Sequence, residues 1–115
     1  MTDRVLSLLS LSKKAGKIKS GEFQTEEAIK SGWTFLVIVS SDASDNTRKH
    51  FFDMASYRQI PFRIYSDSGS LGHSLGTEMR KSIAVTDEGL SKKIIELIDN
   101  TADTRRSSNG KEKNL

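Results

Sequence analysis

The sequence predicts the α/β fold class: a three-layer α/β/α sandwich with a four-stranded mixed sheet. Three observations carry this. Helical and strand-like segments alternate along nearly the whole chain, and such alternation places a sheet between two layers of helices. "FLVIV", residues 35–39, is a continuous apolar run rich in β-branched residues, the pattern of a central strand covered on both faces. At 115 residues the chain can bury one modest core but not two.

The elements follow in order. Thr2 is placed to cap a first helix, with Asp3 near the positive end of its dipole. Val5, Leu6, Leu8, Leu9 and Leu11 give that helix a broad apolar stripe, and Gly16 ends it. Residues 17–20 fit a brief strand. A second helix is predicted over Glu22–Ser31, between Ser20-Gly21 and Gly32, with a thin core face of Ala28 and Ile29. After the central strand, "SDASDNT" abounds in capping residues, and Ser44 is the expected cap. The helix behind it buries Thr47, Phe51, Met54 and Ala55. Pro61 closes that region, and "FRIYS" alternates as a strand does. "DSGSLGHSLG" reads as a turn and a short helix, and "SIAV" as the fourth strand. "DEG" leads into a last helix with Leu90, Ile94, Leu97 and Ile98 on one face. From Thr101 onward only Ala102 and Leu115 are apolar. Residues 1–100 are therefore expected to be the domain and 101–115 a disordered basic tail.

Several functions fall away on residue content. The absence of cysteine excludes disulfides and thiolate metal sites and fits a reducing, cytoplasmic setting. The run 35–39 is far shorter than a membrane span. "VLSLLSLS" follows Asp3 and ends before two lysines, so it does not read as a signal peptide. "GHSLG", residues 72–76, matches the nucleophile elbow of serine hydrolases. That motif needs a strand before it and a histidine after it. Here a Ser/Gly turn precedes it, and the two histidines are His50 and His73. The better reading is that Gly72 and Gly76 allow close packing and end the helix. Asp42, Asp45 and Asp53 lack calcium-loop spacing, and "GKIKSG" lacks the Walker order of glycine and lysine. Neither a metal, a cofactor nor an enzymatic activity is expected.

Charge is more telling. The formal net charge is +3, but it is unevenly placed. Residues 1–21 hold Arg4, Lys13, Lys14, Lys17 and Lys19 against Asp3 alone. The tail adds Arg105, Arg106, Lys111 and Lys113 against Asp103 and Glu112. A polyanion bound at one place accounts for such a distribution, and a solvated lysine face is the alternative. The start of the second helix, at Gly21 and Glu22, offers open N–H groups directly behind Lys17 and Lys19, a combination suited to phosphates. Gln24 has the donors and acceptors to contact a base edge. Phe23 is either a stacking surface or part of the core.

Five segments then resemble the ribosomal protein L7Ae/L30e family in order and spacing, and most closely its short bacterial branch. They are "LLSLSKKAGKIKSGE" at 8–22, "DASDNT" at 42–47, "IPF" at 60–62, "LGHSLG" at 71–76 and "AVTDEG" at 84–89. The resemblance covers residues 4 to 99. It implies an α/β/α sandwich and a non-enzymatic protein that binds RNA kink-turns, in rRNA or another structured RNA, in association with the ribosome. It also implies two contact elements, Lys19 through Gln24 and Gly76 through Lys81. On this basis Lys13, Lys14, Lys17, Lys19, Arg80 and Lys81 are expected to neutralise phosphates, with Lys30 near them. Gly21 and Glu22 set the helix start, and Phe23 and Gln24 face the bases. Gly76, Thr77 and Glu78 shape the loop in which Met79 packs on an extruded base. Phe23 stands where the strong kink-turn binders of the family have asparagine, and Glu27 and Ser31 stand where they have basic residues. The alternative reading is a protein-interaction module on the same fold. A monomer is expected in either case.

Overall fold

The structure, a computed structural model, describes the backbone of residues 3–110 and the side chains of residues 3–101. The chain runs α1 (Arg4–Lys14), β1 (Ile18–Ser20), α2 (Glu22–Ser31), β2 (Leu36–Val39) and α3 (Asp45–Tyr57). It continues through β3 (Phe62–Ile64), α4 (Ser68–Ser74), β4 (Ser82–Val85) and α5 (Glu88–Gly110). The predicted order of elements is the observed one.

The strands form one sheet in the order β1-β4-β2-β3. β4 pairs antiparallel with both β1 and β2, while β2 and β3 are parallel, so the sheet is mixed. β2 is buried along its whole length. Its side chains alternate between two cores, as the pleat requires. Leu36 and Ile38 join Val5, Leu9, Leu71, Ile83 and Ile94 on the face covered by α1, α4 and α5. Val37 and Val39 join Ile29, Phe51 and Ala55 on the face covered by α2 and α3. The three layers thus follow from one strand that is apolar at every position.

Local signals explain most boundaries. Ser44 caps α3 by accepting from the Thr47 N–H at 3.1 Å, as expected. Asp3, rather than Thr2, is the N-cap of α1, because its carboxylate accepts from the Leu6 N–H at 3.0 Å. Thr2 lies outside the described residues. α2 ends at Gly32, which takes the left-handed conformation with φ +85°. Its core face is broader than Ala28 and Ile29, since Thr25 is also fully buried. β3 does not alternate between buried and exposed: Phe62 and Arg63 are both half-buried and Ile64 is exposed. The reason is its edge position, which leaves it covered from one side. Arg63 there forms a double hydrogen bond to the Asp99 carboxylate, at 2.9 and 3.0 Å, tying β3 to α5.

The backbone of α5 is helical through Gly110, past the expected boundary at residue 100. Residues 101–110 contain neither proline nor glycine before Gly110, and Thr101 donates its hydroxyl to the Leu97 carbonyl within the helix. Nothing local stops the helix where its apolar stripe ends. Residues 111–115, the rest of the expected tail, lie outside the described residues.

Candidate functional site

The site begins with Gly21. Its φ of +90° and ψ of 160° suit glycine and little else. Its N–H donates to the Ser82 carbonyl at 3.0 Å, which pins the start of α2 to β4. No side chain caps α2. Asp3, Ser44, Asp67 and Asp87 each accept a hydrogen bond from the first turn of the other helices of the described residues. The N–H groups of Glu22, Phe23 and Gln24 therefore open outward with the positive end of the helix dipole behind them.

The second part is the loop between α4 and β4. Gly76 turns the chain with φ +74°, and the Thr77 N–H donates to the Gly72 carbonyl at 3.0 Å. A Cβ on Gly72 would lie 1.9 Å from the Glu78 carbonyl oxygen, so the loop lies directly on the helix at this point. In "GHSLG", Gly72 provides that close contact and Gly76 the left-handed turn. The Ser74 hydroxyl donates to the Leu71 carbonyl at 2.7 Å. Further along, the Arg80 N–H donates to the Ser68 carbonyl at 3.0 Å. Ser68 is itself held by Asp42, whose carboxylate accepts from the Ser68 N–H and hydroxyl at 3.1 and 2.9 Å. The neighbouring Ser40 side chain, together with the hydrogen bonds from Ser68, holds the Asp42 carboxyl below its ordinary pKa. Asp42 thus supports the loop from behind.

The two parts meet. Arg80 donates from Nε to the Ser20 hydroxyl at 3.0 Å, across 60 positions of sequence. The antiparallel pairing of Ser20 with Ile83 brings them together. The seam so formed joins Ser20, Gly21 and the first turn of α2 to a loop with Thr77, Glu78, Met79 and Lys81 exposed. Met79 is 61% exposed, a large apolar side chain presented to solvent.

The remaining candidate residues divide by position. Lys19 is exposed on the edge strand β1 and lines a groove with Phe23 and Gln24. Lys17 sits at the opposite end of β1 from Gly21, where its carbonyl accepts from the Thr86 N–H at 2.9 Å. Lys13 and Lys14 lie in the last turn of α1, beyond Lys17, and Lys30 is in the last turn of α2. These four are exposed but stand away from the Gly21–Arg80 seam. Phe23 is 73% exposed, which removes it from the core. Three contributors were missed from sequence. Ser20 and Asp42 carry no distinguishing local signal. Trp33 does, as the only tryptophan and one that follows a helix-ending glycine, and it is 69% exposed in the groove with Phe23.

Among the described residues no group of three histidine, cysteine or acidic side chains could hold a metal ion. Nor, among them, is any helix long and apolar enough to cross a membrane. The fold and seam define a class: a three-layer sandwich that presents an uncapped helix start, a buttressed loop and cationic side chains along one end of its sheet. Residues 3–95 match the Ribosomal protein L7Ae/L30e/S12e/Gadd45 family, and the chain belongs to that family. It is 38% identical over 92 residues to the "RNA-binding protein YlxQ" of Bacillus subtilis, covering 80% of this chain and 92% of that one. With the YlxQ protein of Enterococcus faecium the identity is 34% over 97 residues, covering 84% and 92%. A solved structure from Bacillus halodurans, of a protein with unknown function, superposes with a TM-score of 0.82 at 38% identity, covering 85% of this chain and 99% of that one. The Giardia lamblia 15.5kD RNA binding protein shares the fold, with a TM-score of 0.69 at 16% identity over 87% and 89% of the two chains.

Proposed function

We propose that the protein binds structured RNA of the kink-turn kind, without catalysis, through the seam between the start of α2 and the 76–81 loop. The observation that carries this is the Arg80–Ser20 hydrogen bond, which unites two otherwise distant elements into one surface. Family membership supports RNA as the partner, as do relatives named RNA-binding proteins. Irregular elements of this kind suit RNA, whose A-form major groove is too narrow to read. The open N–H groups of α2, with Lys19 and Lys81, neutralise phosphates. Gln24 meets a base edge, and Met79 packs on an extruded base. Lys13, Lys14, Lys17 and Lys30 add longer-range attraction. The protein acts as a cytoplasmic monomer, and rRNA within the ribosome is the natural source of such an RNA.

The test compares a kink-turn RNA with a control whose tandem G·A pairs are replaced. Preference for the kink-turn is expected, and four neutralised phosphates would lower affinity about a hundredfold between roughly 50 and 200 mM salt. Binding that ignores salt, or that is absent below the micromolar range, overturns the reading.

A further inference from the structure

We propose that the groove between α2 and the edge strand β1 holds a short run of unpaired nucleotides, with two of its bases stacked on Phe23 and Trp33. The proposal rests on the RNA-binding reading and specifies which part of an RNA this face takes. The groove has a volume of about 520 Å³, and its walls include Lys19, Phe23, Gln24, Glu27, Trp33 and Thr86. Phe23 and Trp33 leave large rings in water, at 73% and 69% exposure. Phe23 is in the first turn of α2 and Trp33 just past its end, so they stand roughly 15 Å apart along the helix axis. That separation is too great for the two faces of one base. It suits two bases of one extended strand with a nucleotide or two between them, each with its own ring.

Charge within the groove points the same way. Lys19 is its cation and Glu27 its acid. A carboxylate repels phosphate but accepts hydrogen bonds from base amino groups such as cytosine N4. Gln24 and Thr86 add groups of the kind that meet base edges. Paired bases in a helix turn these edges inward, whereas an unpaired strand presents them. The adjoining seam, with Lys19, Arg80 and the open N–H groups of α2, favours a polyanion over a protein segment.

Trp33 is the only tryptophan, so its fluorescence reports directly on the groove. The full chain is titrated at low salt with hexamers of adenylate, cytidylate and uridylate. Adenylate and cytidylate are expected to quench Trp33 at lower concentration than uridylate, which lacks an exocyclic amino group. Phe23→Ala is expected to weaken adenylate binding roughly fivefold or more. Because Phe23 is exposed, this variant retains its fold, which circular dichroism checks. Glu27→Gln is expected to reduce the preference over uridylate. Quenching that Phe23→Ala leaves unchanged overturns the proposal, as does binding of a labelled hexamer without quenching. Hexamers that fail to bind while kink-turn RNA still does overturn the groove alone. Failure of both kinds of RNA removes this proposal and the reading beneath it.

Discussion

At Gly72 a side chain has nowhere to go. A Cβ there would lie 1.9 Å from the Glu78 carbonyl oxygen and 2.8 Å from the Met79 Cα, both of them backbone atoms. Gly72→Ala must therefore displace the loop that carries Thr77 through Lys81. The expected cost is roughly 1–3 kcal/mol in denaturant unfolding, as for other overpacked sites. Loop amide resonances should shift more than those of α3. Gly21 is a different case. Space is available around it, with Arg80 Nε 3.9 Å from a built Cβ, but its φ of +90° is not. Gly21→Ala is expected to cost about 1–3 kcal/mol through backbone strain. It should also weaken RNA binding beyond the stability loss, because it reorients the N–H groups of α2.

Among the elements, α2 decides between the RNA reading and a protein-interaction module. Its first turn is uncapped and exposed, and the resemblance implies asparagine at the position of Phe23 in strong kink-turn binders. Phe23→Asn would restore a side chain able to contact a base edge. Such a contact is worth about 1–3 kcal/mol, so kink-turn affinity should rise tenfold or more in a mobility-shift titration. Unchanged, poor affinity would favour a protein partner. The loop facing α2 depends on Arg80, which donates to the Ser20 hydroxyl and, through its guanidinium, to the Met79 carbonyl at 3.2 Å. Arg80→Lys keeps the charge but not the planar fork. Faster hydrogen exchange at residues 77–81 is the expected result, with only part of the affinity lost.

For the molecule as a whole, pH dependence is set by carboxylates held below their ordinary pKa. Ser40 and Ser68 lower Asp42, Ser70 lowers Asp67, and Arg63 lowers Asp99. Each group ionises more readily folded than unfolded. Its stabilisation is therefore present above the ordinary value of about 4 and is lost as pH falls through the lowered folded value. Thermal unfolding should show a Tm that is flat near neutrality and falls below about pH 4. Asp42→Asn should lower the neutral plateau and make the acid limb shallower. A Tm that is constant into the acid range would contradict these three sets of contacts.

What could be read from the chain alone was what local chemistry decides. The apolar run 35–39, the Ser44 cap, Gly32 and the stripe of Ile94 and Ile98 each act through neighbours a few residues away, so their elements were legible. Where the local signal was ambiguous the reading erred: Thr2 and Asp3 are both good caps, and the cap is Asp3. The family was legible because five short segments resemble it in order and spacing. Tertiary structure alone decided which of the lysines stand at the seam, that Arg80 reaches Ser20, that Asp42 supports the loop through Ser68, and that Phe23 and Trp33 share a groove. Those relations depend on the strand order β1-β4-β2-β3, which sets β4 between strands from earlier in the chain. Pairing across such separations is settled by the burial of two cores at once and leaves no mark on any single stretch of sequence.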